Sequence, residues 1–457
     1  MSSEPNAQAE RTDTVDFAPA LTLVESSAGE PREQERPSPR WGFAQKVLFR
    51  FAFCYLVLYN LPFPLDYVFF STNIAKPYQD LWNFVVPWVG EDLLNVDPSV
   101  LPNGSGDTTY NYVQVFCFLM LALAATAIWT FLDRKRANYA RLHEWLRVYV
   151  RFALALTMIG YGAAKVIPSQ FPAPSLDRLL QPYGDSSPMG LLWTFMGASL
   201  TYSVFGGLSE MLGGLLLISR RTTLLGALVS IGVMTNVVLL NFSYDVPVKL
   251  FSSHLLLMAI FLALPDLRRL ANLLVFNRRV EPAEIRPLFR RKWLHRSALA
   301  LRTVFFVGFT IFLLNQAYQG IKQYGSLAPK PPLYGIWNVE DFVVDGQARP
   351  PLITDESRWR RVVFDYPGTI AVQLMGDSRQ RYRLALDAGK KSLALTKRDD
   401  PQWRSRLSYR QPEPQILAME GTFDGQKVQA RLRRVDESKF LLVSRGFHWI
   451  NEYPFNR

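Results

Sequence analysis

Between Lys46 and Tyr318 the chain carries seven apolar segments, each near the ~20 residues a helix needs to cross a bilayer. They run Lys46–Leu61, Tyr112–Leu132, Val148–Ile167, Leu192–Ser219, Thr222–Asn241, Leu250–Leu264 and Leu301–Tyr318. In hydrocarbon every backbone polar group must find its partner inside the protein, so continuous apolar runs of this length fold as helices. The pattern predicts an α-helical membrane bundle of about seven transmembrane helices.

The charges between the segments predict its orientation. The net charge is +12, and much of the excess lies in short loops beside apolar runs. "DRKRANYARLHEWLR", Arg220–Arg221 and "DLRRLANLLVFNRRVEPAEIRPLFRRKWLHR" are strongly basic and read as cytoplasmic. The stretch Pro62–Asn111 is acidic with Lys76 its only cation, and it reads as outside together with "FPAPSLDRLLQPYGDSSPMG" and "NFSYDVPVK". Seven crossings then give a cytoplasmic N-terminus and a C-terminal part on the periplasmic or extracellular side.

From about Leu333 the pattern changes. "GIWNVEDFVVDG", "RRVVFDYPGTIAVQLM" and "AMEGTFDGQKVQARLRR" alternate like strands, with Asp-Gly at 345–346 and 424–425 and Pro-Gly at 367–368 supplying turns. Eight or nine strands predict a C-terminal antiparallel β-barrel or β-sandwich. Gly335-Ile336-Trp337 is similar to the G-x-W that opens lipocalin-like barrels, where the tryptophan plugs one end; an ordinary core tryptophan is the simpler reading. The aromatic ending "SRGFHWINEYPFNR" is expected to cap the barrel.

These features divide the chain into a disordered tail (1–40), two helices with a long outer loop (41–147), a core (148–266), a basic cytoplasmic loop (267–300), a last span (301–318) and an outer β-domain (333–457). The tail is rich in Glu, Ser, Pro and Ala. The first apolar segment behind it reads as an uncleaved anchor.

Composition narrows the chemistry. Two cysteines, Cys54 and Cys117, and four histidines leave no metal-binding spacing, so haem, iron–sulfur clusters and structural zinc are not expected. No basic, aromatic-interleaved module points to nucleic acid.

One residue needs an explanation. Glu210 lies inside "GGLSEMLGGLLLISRR", where an ionised carboxylate costs about 2.5–3.5 kcal/mol by insertion scales. Gly206, Gly207, Gly213 and Gly214 fall within about 60° of it on the helix wheel. Such a stripe lets another helix approach and turns Glu210 into the bundle. The expected partner is Lys165 in "MIGYGAAKVIP", although it lies ~8–12 Å nearer the outer surface. Asn236 and Asn241 read as helix–helix hydrogen-bonding groups. Polar turns at the outer ends of the spans are expected to gather Asp107, Asp185 and Asp245 at one mouth, with Lys249 and His254 close by, as a proton path or anion site; turn-building alone is the simpler reading.

"RFALALTMIGYGAAKV" and "GGLSEMLGGLLLISRRTTLLGALV" resemble the first two helices of the DoxX-like family of small four-helix membrane proteins, over about Val148–Leu264. The resemblance implies that Glu210 and Lys165 occupy the family's acidic and basic positions. It also implies a bacterial inner membrane and a link to quinone-coupled oxidation. The extra spans and the β-domain depart from the family. Three functional classes remain open: a quinone-linked oxidoreductase subunit taking electrons from a redox partner protein or diffusible donor, a non-enzymatic scaffold or partner-binding protein, and a transporter or lipid-handling protein.

Overall fold

The computed structural model describes residues 40–65, 72–98, 104–282 and 291–456. The expected tail, 1–40, lies almost wholly outside them, as do parts of the long outer loop and of the basic loop.

The helices are α1 (Phe43–Asn60), α2 (Thr72–Trp88), α3 (Thr109–Leu132), α4 (Ala140–Val166), a short α5 (Leu176–Leu179), α6 (Pro188–Ala198), α7 (Leu200–Ile218), α8 (Thr223–Ser243), α9 (Lys249–Ala263), α10 (Leu267–Leu274) and α11 (Lys292–Tyr324). Polar residues just before the apolar runs fix where helices start. Thr108 and Asn111 form a reciprocal capping box at α3. Ser199 divides the single span expected over Leu192–Ser219 into α6 and α7, because its hydroxyl accepts the Tyr202 amide at the start of α7.

Among the described residues, five helical stretches are long and apolar enough to cross a membrane, fewer than the seven expected: Thr109–Leu132, Leu200–Ile218, Thr223–Ser243, Lys249–Leu274 and Lys292–Gln323. The two that fall short are α1, which carries Lys46 and Arg50, and α4, which carries Arg147, Arg151 and Lys165. The reason lies in position. Helix α4 packs against α1, α7, α9 and α11, and its Val150, Leu154, Ala155 and Ile159 are fully buried. A helix enclosed by protein can hold charges on paired faces. Helix α11 is the opposite case: Leu301, Val304, Val307 and Ile311 form an exposed apolar stripe at helical spacing, the face a lipid-contacting helix presents.

The C-terminal domain is a closed antiparallel β-barrel. Strands β1 (Gly335–Val344), β3 (Trp359–Phe364), β4 (Thr369–Leu374), β5 (Arg379–Asp387), β6 (Ser392–Thr396), β7 (Arg404–Glu413), β8 (Ile416–Phe423) and β9 (Gln426–Arg434) follow one another, and β1 pairs with β9 to close the ring. The two-residue β2 (Gln347–Ala348) only extends the β1 hairpin. Asp345-Gly346 and Asp424-Gly425 have positive φ at both positions, as two-residue hairpin turns of this hand require.

Eight strands leave an interior just wide enough for side chains to fill, and Trp337, Trp359, Phe364, Tyr382 and Phe423 fill it. Trp337 donates its indole N–H to the Leu333 carbonyl, 2.9 Å away. The aromatic ending does not cap the barrel: Phe447, Trp449, Ile450 and Tyr453 are all more than three-quarters exposed.

Helix α5 joins bundle to barrel. Leu176 and Leu180 pack against Ile336, Val363 and Ala371 on the outside of the barrel wall. Asp177 accepts hydrogen bonds from Arg379 and Arg381 of β5, and its amide donates to Asp365. Burial pushes the Asp365 carboxyl up from the usual range, opposed by that amide. The α4–α6 connection and the barrel therefore share one end of the bundle.

Candidate functional site

The site begins where α4 and α7 touch. A Cβ added to Gly207 would lie 2.7 Å from the Gly162 carbonyl oxygen and 2.8 Å from Lys165 Cβ. One added to Gly214 would lie 2.8 Å from the Ala155 carbonyl. Contacts that pair rising numbers on α7 with falling numbers on α4 make the helices antiparallel. Gly213 faces Ser230 of α8 instead. Gly206 meets nothing within 4 Å, so it does not belong to the expected stripe.

The antiparallel crossing brings Lys165 and Glu210 together. Each helical Cα–Cβ bond tilts toward its helix N-terminus, so on antiparallel helices the two side chains lean toward each other and close the gap in depth. Lys165 Nζ donates to Glu210 Oε1 at 2.9 Å and Oε2 at 2.7 Å. Lys165 is 8% exposed and Glu210 3%. The centroids of Tyr161 and Phe171 lie 5.5 and 6.0 Å from the ammonium. Removing either charge would leave the other buried alone, which is strongly destabilising.

His254 forms a separate centre. Its Nδ1 lies 2.7 Å from the Leu250 carbonyl, an acceptor only, so Nδ1 carries the proton. In the neutral ring Nε2 then accepts from the Tyr55 hydroxyl at 2.6 Å. The Tyr59 ring stacks on the imidazole at 3.9 Å, 5° from parallel. Sequence reasoning missed Tyr55 and Tyr59; their i, i+4 spacing on α1 is the signal that places both on one helix face. Tyr161 also reaches α9, the helix that carries His254: its ring lies 5.9 Å from that of Phe251.

Only part of the expected mouth assembles. Asp107 accepts the amides of Lys249 and Leu250 at 2.7 and 2.9 Å, capping the start of α9 from a distant loop. Lys249 Nζ bonds Asp245 at 2.8 Å and lies 3.9 Å from Asp107. Asp185 stands apart: it is exposed in the short turn Tyr183–Asp185, where its amide donates to the Pro182 carbonyl and its own carbonyl accepts from Gln181. Asn241 bonds Ser252 across the α8–α9 contact at 3.0 Å, whereas Asn236 is exposed. Among the described residues, no three His, Cys, Asp or Glu side chains gather to hold a metal ion.

Neither a family model nor a solved structure matches the chain. A Bacillus subtilis (strain 168) protein named "Uncharacterized protein YwoB" is 32% identical over 143 residues, 31% of this chain and 87% of that protein.

Proposed function

The chain belongs to the family of the Bacillus subtilis protein YwoB, and we propose that it is a DoxX-like inner-membrane protein whose Lys165–Glu210 pair serves a quinone-linked oxidoreductase. The observation that carries this reading is the Lys165 ammonium. Two of its three N–H groups go to Glu210, and the rings of Tyr161 and Phe171 flank it. Tyr161 is 41% exposed on the bundle surface, which offers a bilayer-soluble ring a way in.

A donor, an adjoining carboxylate and flat aromatic surfaces fit a quinone head group. When bound, a quinone accepts two electrons and two protons. Lys165 holds and orients the carbonyl through its third N–H. Glu210 keeps the ammonium charged in a region of low dielectric and takes up or releases a proton there. His254 with Tyr55 and Tyr59 forms the neighbouring polar relay. Electrons come from a partner protein or a diffusible donor.

The bundle sits with its N-terminus in the cytoplasm and its barrel outside. Basic connections at one end and the shared placement of the α4–α6 connection and the barrel at the other support this orientation. Proteoliposomes supplied with candidate donors test the reading. Reduction of ubiquinone or menaquinone that Glu210→Gln abolishes is expected; no reduction by wild type with any donor contradicts it.

A second reading, a non-enzymatic scaffold, is favoured by the pair lying beside the tight Gly162–Gly207 contact of α4 and α7. It expects Glu210→Gln to alter stability or assembly with no turnover to lose.

A further inference from the structure

At the end of the bundle away from the barrel, arginines converge from three separate segments: Arg147 and Arg151 from α4, Arg220 from the α7–α8 turn and Arg302 from α11. Arg151 is 5% exposed. Its Nη1 donates to Thr223 Oγ1 at 3.2 Å, three residues beyond Arg220. Its Nε is buried with no hydrogen-bond partner among the described residues, and so is Arg302 Nε. The rings of Phe152 and Phe306 meet at 5.6 Å, one residue beyond Arg151 and one turn beyond Arg302, which locks α11 against α4 here.

Among the described residues, the charged neighbours acting on Arg151 are Arg220, Arg302 and Arg147, all cationic. Two carboxylates act on Arg147, at the edge of the cluster: Asp266, 3.7 Å away and shared with Arg269 at 2.5 Å, and Glu144. A buried guanidinium among like charges, with a donor unused, is costly unless an anion joins it.

We propose that this cluster is a binding site for a phosphate group, with Arg151 at its floor and Arg220 and Arg302 at its rim. The planar fork of N–H donors matches phosphate oxygens. Arg302 lies beside Leu301 and Val304 of the exposed apolar stripe of α11. A phosphate arriving there can therefore be the headgroup of an anionic phospholipid whose chains lie along α11. A free phosphate ion reaching the same end of the bundle from water offers the same oxygens.

Native mass spectrometry of the full chain released from nanodiscs of mixed phosphatidylglycerol and phosphatidylcholine, alongside thermal melts in detergent with inorganic phosphate, tests the site and separates the sources. Retained phosphatidylglycerol that falls about tenfold in Arg302→Gln, the loss of one charge-assisted contact, identifies the lipid headgroup. Stabilisation by inorganic phosphate that Arg302→Gln removes, without selective lipid retention, identifies the free ion. Arg302 is only partly buried, so its variant is expected to fold; Arg151→Met is the second variant. Arg221→Gln removes the same charge from an exposed position on the turn and is expected to change neither readout. Equal retention and equal melts in wild type, Arg302→Gln and Arg151→Met overturn the proposal, as does an Arg221→Gln effect as large as that of Arg302→Gln.

Discussion

Gly207 of α7 rests on Gly162 of α4 so closely that a Cβ on the first would come within 2.7 Å of the carbonyl oxygen of the second. No neighbouring side chain can swing aside, because the obstructing atom is backbone. Gly207→Ala must therefore push the helices apart, at a cost of about 1–3 kcal/mol. Gly206→Ala meets open space and is expected to be neutral or stabilising by up to ~1 kcal/mol through helix propensity. Thermal melts of the two variants in one detergent check the contrast.

The separated helices would also pull Lys165 from Glu210. Each single substitution, Lys165→Met or Glu210→Gln, is expected to destabilise by about 3–5 kcal/mol because it strands a buried partner. The double substitution should cost less than the sum of the two. A coupling of about 1 kcal/mol or more in a double-mutant cycle of unfolding midpoints is the expected result.

Tyr55→Phe removes the donor to His254 Nε2 and leaves a buried acceptor unsatisfied. The expected loss is about 1–3 kcal/mol. Tyr59→Phe keeps the stacked ring and should cost less. Chemical-denaturant titrations of the two variants give the comparison.

The barrel carries its own pH dependence at Asp355. The Ser357 hydroxyl donates to its carboxylate at 2.7 Å, and the amides of Ser357 and Arg358 add further hydrogen bonds. These hold the carboxyl below its ordinary value of 3.8. A depressed folded value contributes stability that is present above pH 3.8 and is lost as pH falls through the lower folded value. Asp355→Asn is expected to flatten that acid limb of the melting curve, read by near-ultraviolet circular dichroism of the barrel tryptophans.

Much of this architecture was legible in local sequence. The Asp-Gly and Pro-Gly turns announced the strands, because positive φ at fixed offsets is a local requirement. Helical arithmetic placed Glu210 toward the bundle and named Lys165, because a buried carboxylate needs a partner. Features set by distant packing were not legible. Barrel closure depends on β1 meeting β9, and the cap on α9 comes from Asp107, 142 residues before Lys249 in the chain. The span count differed at α1 and α4, where apolar runs were counted although Lys46 and Arg50, and Arg147, Arg151 and Lys165, bring the helices below the hydropathy of a lipid-facing span. Asp185 looked like a member of the mouth because turn residues and site residues share a composition.

On the proposed reading the Lys165–Glu210 centre holds a quinone. The most direct test is organic-solvent extraction of wild-type and Glu210→Gln protein purified in mild detergent, with mass spectrometry of the extracted lipids. Melting curves would confirm that both samples are folded. Stoichiometric quinone in the wild type that is lost in Glu210→Gln is the predicted result. No quinone in either sample, or equal quinone in both, would contradict it.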